Sequence, residues 1–334
     1  MRSQLSIILF ACALAAASCG DTATESADRT GMPTSIMSEA EIQQLRDEAA
    51  AFAAQSITAW PDVDAFVADY AEDIGGADPT ADDYCCKGRD ATVDYWRQWA
   101  EMTNYTIKVT GMYLSANGAA YEEAWPGLWP SDHGVSVSGP RDPEGWHALD
   151  IYGFRDGEVV WGEVWYLPDE NERFGIGCFA VDGCPAMGEV VDRYTTAWSS
   201  RDSNSVAALY SDDAYFTDSL LGLEATGVDA IGDLATERFG SAGDLSINVL
   251  GLYAWTDGRF PPTETNPDRG RLVGVAIHYR AEADDDGVAG IQEAIAVLHL
   301  GNLHEASFDA DPHGLIHYEE VYHEPATLLA ELQS

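Results

Sequence analysis

The chain has 334 residues, with 57 acidic side chains against 17 basic ones and a formal net charge of −40. A surface of that sign repels a phosphate backbone, so nucleic acid is not an expected partner, and the acid excess is best read as a solvated face. With 46% hydrophobic and 10% aromatic residues there is ample material for packed cores, and the length suits two domains behind a short leader.

The leader comes first. Arg2 precedes an apolar run from Leu5 to Ala17, and the small residues Ala16, Ala17 and Ser18 stand directly before Cys19. That run is too short and wrongly flanked to span a membrane, and it predicts an export signal over residues 1–18. The residues before Cys19 resemble a bacterial lipobox, which implies acylation of the Cys19 thiol and anchoring to a bacterial membrane by lipid. Ala16 departs from the leucine commonest there, so cleavage to a soluble secreted or periplasmic product stays open. Residues 19–37, rich in Ser, Thr, Ala and Asp, are expected to form a flexible tether.

Ser38-Glu39-Ala40-Glu41 is a capping box, and the apolar spacing after it predicts a helix to about residue 58. A short helix is expected over 63–70 and a third after Gly88. The apolar period then changes from 3.6 to 2. Strands are predicted over 105–114, 146–154 and 159–166, the last two joined at Arg155-Asp156-Gly157, a hairpin signal.

After a linker over 169–184 the same order returns. A helix over 186–198 carries Val190, Val191, Tyr194, Ala197 and Trp198 on one stripe. A short helix over 205–210 and a third after Gly227 follow, then strands over 244–254, 271–281, 290–300 and 315–323. The segments match in series: YAED with YSDD, Gly88-Arg89-Asp90-Ala91 with Gly227-Val228-Asp229-Ala230, YTIKVTGMYL with LSINVLGLYA, and GEVVWGEVWYLP with GLIHYEEVYHEP. Four blocks in one order mark a duplication, with domains over 38–168 and 185–328. Helices followed by antiparallel strands argue an α+β class. A curved sheet wrapped around helices makes a cone with an apolar interior, a natural small-molecule pocket.

Beyond the leader and Cys19 four cysteines remain, Cys85, Cys86, Cys178 and Cys184, which allow three pairings in an oxidising compartment. A Cys178–Cys184 disulfide closing a loop in the linker is the favoured pairing. Bridges from Cys85 and Cys86 to the linker are the alternative. Neither pair has the separation of structural zinc ligands, and no metal site is expected.

The segment YSDDAYFTDSLLGLEATGVDAI at residues 210–231, with YAEDIGGADP in the first copy, resembles the nuclear transport factor 2-like superfamily, specifically its SnoaL-like and ketosteroid-isomerase-like members. The resemblance implies two tandem cone folds, each of three helices packed on a curved antiparallel sheet. It also implies binding of a small, mainly apolar molecule, with isomerase, cyclase or hydratase chemistry that needs no cofactor. Many members only bind or assemble through the sheet face, so the alternative is a non-catalytic module in which the two domains form an internal pseudo-dimer.

In the isomerases a tyrosine on the first helix precedes the proton-shuttling aspartate by 24 positions, as Tyr194 precedes Asp218 here. The first copy keeps the aspartate as Asp78, followed by Pro79, but has Ser56 near the tyrosine's place. A second donor, a protonated aspartate on a late strand, matches Asp150 in the first copy and is replaced by Ala296 in the second. Neither copy therefore holds the whole set. Enolisation needs a carboxylate base and donors aimed at the developing oxyanion, and an apolar cone separates the pKa values of two carboxyls so that one is base and one donor. Asp218, Tyr194, Asp78 and Asp150 are thus the candidate catalytic residues, with Asp218 favoured. Trp198, Tyr215, Trp96 and Trp161 are candidate ligand contacts. His317, Glu319 and His323 share one strand face without a fourth metal ligand, and are expected at a solvated or pocket-edge position.

Overall fold

The computed structural model describes residues 36–75, 88–102, 106–126, 146–166, 187–241, 244–257, 271–285, 288–300, 311 and 313–332. Cys19, Asp78, Cys85, Cys86, Cys178 and Cys184 lie outside the described residues. Among the described residues no helix is long and apolar enough to cross a membrane.

Helix α1 (Glu39–Gln55) opens with the capping box: Ser38 Oγ accepts the Glu41 N–H at 3.3 Å, and the Glu41 carboxylate accepts the Ser38 N–H at 2.8 Å. Its buried face is Ile42, Ala49, Phe52 and Ala53. Helix α2 (Val63–Phe66) is capped by Asp62 and gives way to strand β1 (Tyr70–Gly75). Helix α3 (Arg89–Met102) starts past Gly88, whose φ of +86° lets its N–H reach the Ile74 carbonyl. Strands β2 (Lys108–Ser115), β3 (Gly118–Trp125), β4 (Trp146–Arg155) and β5 (Glu158–Tyr166) complete the first half.

The second half runs α4 (Met187–Ser200), α5 (Ser203–Ala207), β6 (Tyr210–Asp218), β7 (Leu223–Thr226) and α6 (Val228–Ser241), then β8 (Asp244–Asp257), β9 (Arg271–Asp285), β10 (Val288–His299) and β11 (Ile316–His323). Gly227, at φ +85°, bonds the Ala214 carbonyl just as Gly88 bonds Ile74. Helix α7 (Pro325–Leu332) begins on a proline, whose fixed φ suits a first helical turn.

Several elements depart from the sequence expectation, which also placed nothing at β7 or α7. The short helices stop at Phe66 and Ala207, because Tyr70 and Tyr210 instead open strands that pair in parallel with β5 and β11. Tertiary pairing there overrides a local helical period. Strand β3 was not anticipated, since GAAYEEAW is rich in Ala and Glu. It is held by antiparallel ladders on both sides, to β2 and to β4.

In the first half β2, β3, β4 and β5 form an antiparallel meander with β1 added in parallel on β5. In the second, β8, β9, β10 and β11 do the same with β6 parallel on β11 and β7 beyond it. The two sets then join at two corners, Leu114 with His323 and Tyr166 with Ala254, so that eight strands close into a ring. The resulting architecture is α+β around a large, mainly antiparallel sheet.

Strand alternation sends successive residues of β11 to different cores. Tyr322 joins the core of the first half, along with Ile295, Val297 and Leu328, whereas Val321 joins the core formed by Val190, Tyr194, Trp198, Phe216 and Ile277. Between the facing sheets lies a polar knot. His278 on β9 has Nδ1 2.9 Å from Glu122 of β3 and Nε2 3.1 Å from Glu293 of β10. The hydroxyl of Tyr113 lies 2.9 Å from the same Nε2, and Tyr253 donates to Glu122 at 2.6 Å.

Candidate functional site

Asp218 ends β6 and is fully buried. Its Oδ1 lies 2.7 Å from His323 Nε2 and accepts the Leu221 N–H at 3.4 Å, and its Oδ2 faces the Arg238 guanidinium at 3.6 Å. His323 is equally buried, and its other ring nitrogen lies 2.8 Å from the Gln292 amide nitrogen. The pairing follows from topology: parallel β6 and β11 bring their C-terminal ends, 105 residues apart in the chain, side by side. Arg238, from α6, is about a third exposed (32%) and marks the side on which the cluster meets solvent.

Two positions back along the same face of β11 stands Glu319, also fully buried. It accepts hydrogen bonds from Tyr194 of α4 at 2.7 Å and from Tyr210 at 2.5 Å. Tyr194 therefore shares the buried cluster with Asp218 but directs its hydroxyl to Glu319.

The two carboxyls are driven apart electrostatically. Burial pushes Asp218 up, but the charge and hydrogen bond of His323, and then Arg238, reverse this and hold it below the ordinary carboxylate range. Burial likewise raises Glu319, and there the opposing hydrogen bonds of Tyr210 and Tyr194 are too weak, so it is pushed up to about 7. One acid is ionised at neutral pH. The other retains a proton for much of its population.

The first half holds a different arrangement. Asp150, 3% exposed in β4, accepts the Tyr152 hydroxyl at 3.2 Å and is hydrogen-bonded to the fully buried Glu123 of β3. Its partners are thus a tyrosine and a second carboxyl, with no arginine in the pair. Burial pushes Asp150 up to about 7 against these hydrogen bonds. Nearby, a cavity of about 10 Å³, space for roughly one water, is lined by Tyr70, Ile74, Trp96, Tyr152, Val159, Gly162 and Glu163. Phe52 fills the interior beside it, with its ring 5.1 Å from Tyr152 and 5.2 Å from Phe154.

The candidate ligand contacts separate. Trp198 lies in the second core between Tyr194 and Phe216, at ring distances of 6.2 and 6.3 Å. Trp96 lines the first-half cavity. Trp161 packs over Gly153 in the first-half core, and Tyr215 stacks on Tyr318 at 5.8 Å and donates to Glu224, away from the Asp218 cluster. The expectation of a solvated or pocket-edge face for Glu319 and His323 is overturned, since both are fully buried by β6, β10 and α4. His317 instead pairs with Asp311 at 3.0 Å. Among the described residues no three His, Cys, Asp or Glu side chains converge as a metal ion needs. Sequence reasoning missed Glu319, His323, Arg238 and Tyr210 as members of the cluster. The shared face of Glu319 and His323 on β11 was legible, but the partner strand was not.

No protein-family model matches the chain, and no curated protein does. Solved structures do align with parts of it. A ketosteroid-isomerase-like protein from Catenulispora acidiphila, solved with trimethylamine, is 15% identical over 43% of this chain and 91% of its own, with a TM-score of 0.31. An NTF2-like protein from Exiguobacterium is 21% identical over 40% of this chain and 97% of its own, at 0.28. An LEH-like epoxide hydrolase from M. tuberculosis is 13% identical over 43% and 90%, at 0.30. Each alignment takes in less than half of this chain and carries no activity across to it.

Proposed function

We propose that this chain is an exported, lipid-anchored protein of two tandem NTF2-like cones, whose second half binds a small, mainly apolar molecule and performs acid–base chemistry without a cofactor. The observation that carries the chemistry is one buried cluster in which Asp218 is held by His323 and Arg238 while Glu319, a second carboxyl, is held by two tyrosine hydroxyls. A carboxylate kept ionised by His323 and Arg238 is suited to remove a proton from carbon. A carboxyl kept near neutrality, backed by two tyrosine hydroxyls, is suited to donate to the oxygen that becomes negative. Exclusion of water strengthens both interactions. Isomerisation, cyclisation and hydration at an enolisable carbon all use this pair of roles.

The test is exchange of α-hydrogen for deuterium in a panel of apolar ketones, followed by NMR. The wild-type chain should accelerate exchange for at least one of them, and Asp218→Asn should reduce it by about 10²-fold or more while leaving ligand affinity nearly unchanged. Equal exchange by the variant, or none above buffer by the wild type, overturns the reading. For the anchor, the support is the segment before Cys19; loss of fatty-acid labelling in Cys19→Ala is the expected result.

A second reading has its own support in the two corner pairings and the His278 knot. In it the chain is an interaction module whose halves form an internal pseudo-dimer through their sheet faces. The aromatic filling around Phe52 and the small first-half cavity favour this role for the first half. Retained ligand in native mass spectrometry of the full chain would argue for the first reading, and a ligand-free chain without exchange activity for the second.

A further inference from the structure

The turn that follows Asp218 belongs to the second half in sequence and to the first half in space. Residues 219–222 join β6 to β7. Ser219 Oγ accepts the backbone N–H of Ala116, in the turn between β2 and β3, at 2.8 Å. The Leu220 carbonyl accepts the N–H of Met37, just before the cap of α1, at 3.0 Å. The Leu220 side chain is fully buried in the first-half core, with Leu221 packed against it. The Leu221 N–H then reaches Asp218 Oδ1. On the other side, His323, which holds that same oxygen, is the residue through which β11 pairs with Leu114 of β2. Both flanks of the Asp218 carboxylate are therefore set by β2, its turn and the entry to α1.

We propose that the first half is a positioning subunit for the Asp218 site, with Ser219 and Leu220 as the residues that dock the β6–β7 turn on it. The functional consequence rests on the reading of Asp218 as a base; the docking itself does not. A buried carboxylate keeps its role only while its partners stay within tenths of an ångström and water stays out, and small misplacements of such groups have large kinetic effects. A freed turn would withdraw the Leu221 N–H, loosen the contact with His323 and admit water. This gives the first half a task in the second site although its own cavity is small.

The test uses the full chain with carboxyl-labelled aspartate, the Asp218 signal being assigned by its loss in Asp218→Asn. In Ser219→Ala the Asp218 carboxyl should bind its proton about threefold more tightly or more, and ketone exchange should fall about tenfold in kcat with little change in KM. Ser219→Thr, which keeps the hydroxyl, should restore both. Leu220→Ala should move the signal in the same direction while the chain still melts cooperatively; if it does not fold, Ser219→Ala decides. An Asp218 signal unchanged in a folded Ser219→Ala chain overturns the proposal. If that signal moves but Asp218→Asn leaves exchange intact, the positioning stands and the acid–base reading falls.

Discussion

Glu122 and His278 occupy matching strand positions in the two halves and meet each other at 2.9 Å. Glu122 pairs with Gly111 across β2 and β3, and His278 with Gly251 across β8 and β9, the two glycines matching in VTGMY and VLGLY. Two identical subunits would bring like residues together there. Here an acid from one half meets a histidine from the other instead.

That pair makes stability depend on pH in a stated direction. For His278 burial acts downward, but Glu122 and then Glu293 outweigh it and raise the imidazole above its ordinary 6.5. Its contribution is complete below 6.5 and is lost as pH rises through the folded value. Glu122 and Glu293 are held below 4.5, so theirs is lost as pH falls below that. Relative to His278→Ala, the wild type should be more stable by about 2 kcal/mol between these limits, with the difference shrinking as pH rises through the raised value of His278. Urea denaturation of both chains across pH checks this, and a constant difference would refute it.

Glu319 should produce the opposite of the usual carboxylate behaviour. Its folded value of about 7 lies above the ordinary 4.5, so its contribution to stability is greatest below 4.5, declines as pH rises from there through 7, and is lost above it. Glu319→Gln keeps an acceptor for one of the Tyr194 and Tyr210 hydroxyls, offers an amide donor to the other, and cannot ionise. The variant should therefore lose this slope and exceed the wild type by up to about 3 kcal/mol at pH 8. Thermal melts at pH 5 and pH 8 are sufficient to decide.

The cluster's two donors and its ion pair should not weigh equally. Tyr194→Phe removes one of two hydroxyls from Glu319 and should cost about 1 kcal/mol. Asp218→Ala strands His323 at zero exposure and should cost about 3–5 kcal/mol. Equal losses in denaturant titrations would contradict the hydrogen-bond assignment.

Gly274 on β9 lies under the indole of Trp165 from β5 of the other half, with the Leu298 carbonyl 3.1 Å from where a Cβ would stand. Neither a buried indole nor backbone yields readily. Gly274→Ala should destabilise by about 1–3 kcal/mol, whereas Gly188→Ala, with nothing near its Cβ position, should have no steric cost. Comparing the melting temperatures of the two variants separates packing from the general effect of replacing glycine.

The sequence made the frame legible because local rules govern it. The capping box at Ser38, the glycine helix starts and the turn at Asp156 and Gly157, both at positive φ, each depend on a few adjacent residues. Strand β3 was hidden because its stability comes from neighbours on both sides. Asp218 and Tyr194 were put forward by the family resemblance, and they share one buried cluster. Their partners were not found, because His323 reaches Asp218 only through the parallel pairing of β6 with β11, which no local pattern encodes. Glu319 was hidden for a related reason: an acid on a strand reads as solvent-facing until two tyrosines from other elements are placed upon it.

The ring of strands also sets an order of events for a chain made from one end. Strand β2 lies in the first half, yet its corner partner β11 is the last strand of the series, and Leu114 must wait for His323 before the sheet can close. Contacts so far apart along the chain are slow to form. Closure of the ring and arrival of the histidine in the Asp218 cluster therefore both await the same strand, β11.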